Sequence, residues 1–131
     1  MPDDPLLLPQ VPTSWGELLD KITILEIKVK RLSTDSARAN AGKELALLSA
    51  IAAPVWDRVA AMAATLKALN EQLWEIEDRI REQERANSFG ADFITLARAV
   101  YRTNDERGRI KRQINLALGS SLIEEKSYQP Y

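Results

Sequence analysis

The sequence contains neither cysteine nor histidine. Without a thiol there is no disulfide framework, no cysteine nucleophile and no thiolate ligand for zinc. Without imidazole the commonest general base and metal ligand is missing as well, so Ser-His-Asp and Cys-His chemistry are excluded. Glycine and proline are sparse, with 5 and 6 residues, too few for a turn-rich all-β protein. An excess of either charge is also lacking. The 18 basic and 19 acidic side chains leave a formal net charge of -1, which gives no electrostatic ground for non-specific binding to nucleic acid or to an anionic membrane. Asp3 and Asp4 stand where a signal peptide carries Lys or Arg, and the run Leu6 to Leu8 is too short for its apolar segment. No stretch approaches the roughly 20 apolar residues of a membrane span, and a cytoplasmic protein is expected.

What is present is a 131-residue chain, 45% hydrophobic and 28% charged, enough for one domain with one core. Residues 1–13 hold four prolines, Pro2, Pro5, Pro9 and Pro12; each pushes its predecessor toward extended geometry, so an extended arm is expected. Ser14 and Glu17 have the spacing of a capping box, which predicts a first helix over about 14–32. Its apolar positions Trp15, Leu18, Ile22, Leu25, Val29 and Leu32 step by three and four. Ser33, Thr34 and Asp35 then supply stop and restart signals.

The longest pattern follows. Ala41, Leu45, Leu48, Ala52, Val55, Val59, Met62, Leu66, Leu69, Leu73, Ile76 and Ile80 form a heptad-like seam. Its phase passes through Pro54 unbroken, which predicts one long helix over about 36–87, kinked at Pro54. Asn87, Ser88 and Gly90 end it. A further helix over about 91–118, closed by Gly119, carries Phe93, Leu96, Val100, Ile110 and Ile114 in the same phase. Residues 120–131 form a polar tail with no regular structure expected. The fold class is therefore all-α: antiparallel hairpins sharing a long kinked central helix, elongated and packed like a coiled coil, within one helical domain over 14–119. A shallow kink leaves each half with two helices and an open seam; a sharp one folds the halves into a bundle.

Four stretches, SWGELLDKITILEIK from Ser14, LWEIEDRIREQER from Leu73, FITLARAVYRTNDERGRIKRQIN from Phe93 and EEKSYQPY from Glu124, together resemble a family of small bacterial all-helical proteins catalogued as a domain of unknown function. The resemblance spans most of the chain. It implies a bacterial source and a setting near genes for surface-polysaccharide sugar transfer, and it supplies no catalytic residues.

Carboxylates are the only plausible catalytic material. Glu17 and Asp20 share a face of the first helix, and Glu75 and Asp78, with Glu71, share a face of the long one. Hard cations take such oxygen ligands. The arrangement is similar to the magnesium sites of all-α nucleoside triphosphate pyrophosphohydrolases, in which metal-held substrate is attacked by water. Against that enzyme reading, Glu75 and Asp78 fall on the outward side of the seam, where solvated charge is the ordinary occupant. The basic run Arg98, Arg102, Arg107, Arg109, Lys111 and Arg112 shares its composition with the anion grip of all-α chorismate mutases. It reads more simply as an exposed complement to the helix dipole with i,i+4 pairs. Thr103 and Arg107 lie in seam phase among apolar neighbours and are expected to form a buried polar layer, with Glu77 or Asp105 as the arginine's partner. Trp15 and Trp56 are read as core. Trp74 lies off the seam, to be covered by another helix or left for a partner.

A second stripe on the first helix, Asp20, Ile24, Ile27 and Arg31, lies opposite the main seam. Two copies crossing antiparallel set Ile24 against Ile27 and Asp20 against Arg31, the self-complementarity that a two-fold dimer contact requires. The competing expectation covers this strip within the same chain. The sequence thus predicts a non-enzymatic interaction or scaffold module, a homodimer open to a protein partner, with no cofactor, metal, nucleic acid or membrane.

Overall fold

The computed structural model describes residues 7–131. Helix α1 (Trp15–Arg31) is followed by α2 (Asp35–Ala52), a single 3-10 turn (Ala53–Val55), α3 (Trp56–Arg85) and α4 (Ala91–Leu118). Among the described residues there is no strand. Most of these boundaries rest on side chains or special backbone that satisfy otherwise unpaired groups. Ser14 Oγ accepts the Glu17 N–H at 3.2 Å and Thr34 Oγ1 accepts the Ala37 N–H at 3.1 Å. Gly119, at φ 64°, closes α4 in the left-handed conformation. Half of the predicted capping box is absent, because the Glu17 side chain turns to Lys111 instead of reaching back.

The helical path runs continuously from Asp35 to Arg85, 51 residues, as the unbroken phase predicts. Pro54 falls within the first positions of the 3-10 turn, where its missing N–H is least costly. The bend there is sharp, and α1 shows why. It runs antiparallel to α2, with Leu18 and Ile22 on Ala52 and Lys21 2.8 Å from Glu44. It also runs parallel to α3, with Leu19 on Val59, Ala63 and Leu66 and Arg31 2.5 Å from Glu75. One helix follows both arms while the chain traverses them in opposite senses, so the arms fold toward each other. The seam that a shallow kink leaves open is closed by α1 at its base.

Helix α4 returns antiparallel to both α3 and α1. Arg58 donates to the Ala117 carbonyl at 3.0 Å, and the Gly16 N–H donates to Asn115 Oδ1 at 2.7 Å. A Cβ at Gly16 would lie 2.4 Å from the Lys111 carbonyl oxygen, so this approach of α1 to α4 requires glycine. Two core clusters result. Leu19, Val59, Ala63, Leu66 and Ile114 form one; Leu18, Ile22 and Ala52 form the other. Trp15 and Trp56 pack against both and join them. Each fully buried Leu or Ile contributes about 1.5–3 kcal/mol of transfer free energy.

Asp35–Arg85 is long and apolar enough, by length and composition, to cross a membrane, which amends the expectation that no stretch approaches that character. From Leu45 to Met62 the only charges are Asp57 and Arg58, and only Ala52 and Val59 are fully buried. The described part of the Pro-rich arm, residues 7–13, has no regular structure and is exposed; the rest lies outside the described residues. The tail lacks regular structure, as expected, yet it does not leave the domain.

Candidate functional site

Where α1, α3 and α4 meet, the interior is polar. Asp20 and Lys111 are 4% and 8% exposed, and Thr23, Asn70 and Asn115 are buried beside them. The Asn70 amide donates at 2.9 Å both to Asp20 Oδ1 and to Thr23 Oγ1, whose hydroxyl in turn donates to the Asp20 carbonyl at 2.8 Å. Arg107 Nη1 donates to Asn70 Oδ1 at 3.2 Å and stands 3.8 Å from Asp20 Oδ2. Lys111 Nζ lies 2.8 Å from Glu17, 3.2 Å from Glu124 and 4.0 Å from Asp20. Among the described residues, no buried side-chain polar atom lacks a partner.

The electrostatics follow from this geometry. Burial alone pushes the Lys111 ammonium down, but hydrogen bonds to Glu17 and Glu124 and the charge of Asp20 outweigh it, so its pKa is raised above the ordinary lysine value. Glu124 is lowered, chiefly by its hydrogen bond with Lys126 and then by that with Lys111. Every charge in the cluster is answered by another of the same chain. A buried charge left without its partner is costly, and here each is held in place by at least one neighbour from a different helix.

The tail extends this network. The Trp15 N–H donates to Ser120 Oγ at 3.1 Å, and the chain then passes back along α4. Glu124 meets Lys111, Glu125 meets Arg112 at 3.3 Å, and the Lys126 stem lies over Gly108. Tyr131 donates to Asp105 Oδ2 at 2.5 Å, meets Tyr101 edge-on at 5.1 Å, and lies 5.8 Å from the Arg102 guanidinium. A cavity of about 350 Å³ under this strap is lined by Arg109, Lys111, Arg112, Asn115, Glu124 and Glu125, among others.

Of the residues singled out by sequence, Glu17 and Asp20 converge on Lys111, whereas Glu75 pairs with Arg31 and Asp78 is exposed. Since Arg31 is eleven residues beyond Asp20, the two acidic sets stand about 16 Å apart along α1. They form no shared site, and no group of three potential metal ligands exists among the described residues. The four residues of the expected dimer strip are largely engaged within the chain. Asp20 and Ile27 are buried within the chain, Ile24 and Ile27 line a groove with Leu73 and Trp74, and Arg31 pairs with Glu75. The sharp bend brings α3 onto that strip, which is the covering within the same chain that the competing expectation describes.

Arg107 sits against Asp20 and Asn70; its expected partners are engaged elsewhere, Glu77 with Arg81 and Asp105 with Tyr131. Thr103 is half-buried beside Leu69 and Gln72, outside the hydrogen-bonded cluster. Lys111, read as part of an exposed basic run, is buried. Trp74 is half-buried with the Arg31 guanidinium 5.9 Å from its ring. Sequence reasoning missed Thr23, Asn70, Lys111 and Asn115. The available signal was the spacing of Lys111 and Asn115, four apart and each next to a seam residue, Ile110 or Ile114.

No curated protein and no solved structure matches this chain. The model of a family of unknown function, DUF6165, matches residues 10–131, and the chain, in keeping with the resemblance carried by its four stretches, belongs to that family.

Proposed function

We propose that this protein is a non-enzymatic helical interaction module that works as a homodimer. The supporting observation is the apolar elbow: α2 packs chiefly on α1, which leaves Leu47 and Ile51 44% and 56% exposed on its outer side, followed by the exposed Ala53 and Pro54. Exposed apolar surface of this kind marks a contact. A two-fold pairing lets one patch meet its own copy and closes the assembly. The commitment of Glu17, Asp20 and Glu75 to ion pairs within the chain also favours this reading over hydrolysis of a nucleoside triphosphate.

Light scattering on the purified chain tests it. A mass of twice 14.7 kDa, reduced to one copy by Leu47→Glu with Ile51→Glu while helical circular dichroism is kept, is expected. A monomeric parent, or a dimer that survives both substitutions, overturns the dimer. Pyrophosphate release from a nucleoside triphosphate with magnesium, lost on Asp20→Asn and Glu75→Gln, overturns the non-enzymatic reading.

A further inference from the structure

The C-terminal strap is held almost entirely by contacts that water can replace. None of residues 119–131 is buried, and all from Glu124 to Tyr131 are exposed. Its departure therefore sacrifices little apolar burial, and exposed ion pairs such as Arg112 with Glu125 contribute about 0–1 kcal/mol each. The surface beneath is built differently. Arg109, Lys111 and Arg112 line it, with Arg109 paired to Glu106, Lys111 to Glu17 at the wall, and Asp105 also in the groove, so Arg112 and the outer side of Lys111 are the cations it offers to the strap. The strap that covers it carries Glu124 and Glu125 against Lys126 and is acidic. At the far end Tyr101 and Arg102 receive an aromatic ring. Fixed positions for two adjacent carboxylates and for a ring six residues later describe a peptide track more closely than a phosphate backbone, whose charges repeat evenly.

We propose that this face of α4 is a docking groove for an extended acidic segment of a partner protein, two adjacent carboxylates followed by an aromatic side chain, and that the strap is its resident occupant. The partner segment displaces the strap by offering the same chemistry. The inference deepens the reading of the chain as an interaction module and rests on it for its meaning, but the groove lies apart from the α2 elbow. Lys111 ties the two states together. When the strap leaves, the ammonium loses Glu124 and keeps Glu17 and Asp20, so the interior network stays paired while an acceptor site for a carboxylate opens at its edge.

A chain ending at Ser120 and a fluorescent peptide of residues 121–131 added in trans provide the test, read by anisotropy. Saturable binding to the shortened chain is expected, at least tenfold weaker to the full chain, where the strap competes. Raising sodium chloride from about 50 to 500 mM should weaken it further, since surface charge is screened over shorter distances. A peptide carrying Glu124→Lys and Glu125→Lys should not bind. Should the shortened chain fail to fold, the full chain with Glu124→Lys and Glu125→Lys serves in its place, with at least tenfold tighter peptide binding than the parent expected. No binding to a folded shortened chain, or equal binding to parent and charge-reversed chains, overturns the groove. A parent dimer that becomes monomeric on removal of the strap assigns the groove to a second copy's strap and overturns the partner assignment. Failure of peptide binding with the dimer intact leaves the elbow contact standing; peptide binding by a monomeric parent removes the dimer and keeps the groove.

Discussion

The two ends of the α3–α4 hairpin are built from similar sequence but differ in depth. At the base, α1 adds a third wall, and Leu19, Leu66 and Ile114 are wholly enclosed. Farther out the hairpin has only its own two helices, and between Glu71 and Ile110 a single residue, Leu96, is buried. Phe89 and Phe93 meet edge-on at 5.2 Å near the tip, but Phe89 remains half-exposed. Both ends carry the same four-three seam, so periodicity alone does not make a core. A heptad face is buried only as far as a third element reaches. The comparison predicts that substitutions of similar size have effects graded by distance from α1.

Among replacements that keep the shape of the side chain, the largest effect is expected at Lys111. Replacing it by Met keeps the stem that fills the α1–α4 contact and removes the ammonium, leaving Asp20 buried with Arg107 as its remaining cation. Breaking a buried ion network on one side costs about 3–5 kcal/mol, measured as a lower denaturation midpoint in urea. Adding Asp20→Asn should recover part of that loss. A Lys111→Met chain as stable as the parent would show that the base does not depend on its polar interior.

The legibility of the sequence divides along the same line. Helix limits were readable because Ser14, Thr34 and Gly119 carry their own local chemistry, and continuity through Pro54 followed from seam phase. The angle of the bend was not readable. It is set by what α1 can bury on both arms at once, and no local signal encodes an angle between two helices that meet through a third. That one unknown decided the rest. With the bend sharp, Asp20, Ile24, Ile27 and Arg31 face α3 in their own chain, Asn70 reaches Asp20, and Lys111 is enclosed. The tail was legible only as irregular, since its order comes from charges on α4 rather than from any periodicity.

A smaller loss is expected from Gly16→Ala. The added methyl meets the Lys111 carbonyl at 2.4 Å, and backbone cannot rotate aside as a side chain does, so α1 and α4 must separate. Such overpacking costs about 1–3 kcal/mol. The accompanying signature is loss of the Gly16 N–H bond to Asn115, visible as faster amide exchange at Gly16. Gly90→Ala is the comparison at the hairpin end, where nothing lies within 4 Å of the added atom; it gives up only the N-cap preference for glycine at the start of α4, about 1 kcal/mol or less, and should leave amide exchange at Gly16 unchanged.

Charge titration separates the base from its strap. The Lys111 pKa is raised in the folded chain, so its contribution is complete below the unfolded lysine value and is lost as pH rises through the folded one. Glu124 is lowered, so its contribution is present above the unfolded glutamate value and is lost as pH falls through the folded one. Urea midpoints should therefore fall more steeply at alkaline pH in the parent than in Lys111→Met. Below the ordinary glutamate range, proteolysis at the strap should rise before helix content falls. Simultaneous loss of strap protection and helix would show that the strap is part of the core rather than a cover.

The smallest effect is expected at Ile94. It is 56% exposed on the first turns of α4, beyond the reach of α1, and packs into neither core cluster. Replacing it by Lys removes little buried area, and surface substitutions away from special features fall within about 0.5 kcal/mol. Lysine is also at least as good a helix former as isoleucine, so backbone preference does not oppose the change. The same substitution at Ile114, in the same helix but in the seam and fully buried, sets a lysine among Leu19, Val59 and Leu66 and should prevent stable folding. Thermal melts of the two variants side by side measure the difference between the open face of the outer hairpin and the enclosed base. A loss at Ile94 comparable to that at Ile114 would mean that the outer hairpin is enclosed in solution, which a second copy laid along it would accomplish, and light scattering on Ile94→Lys would then report a monomer.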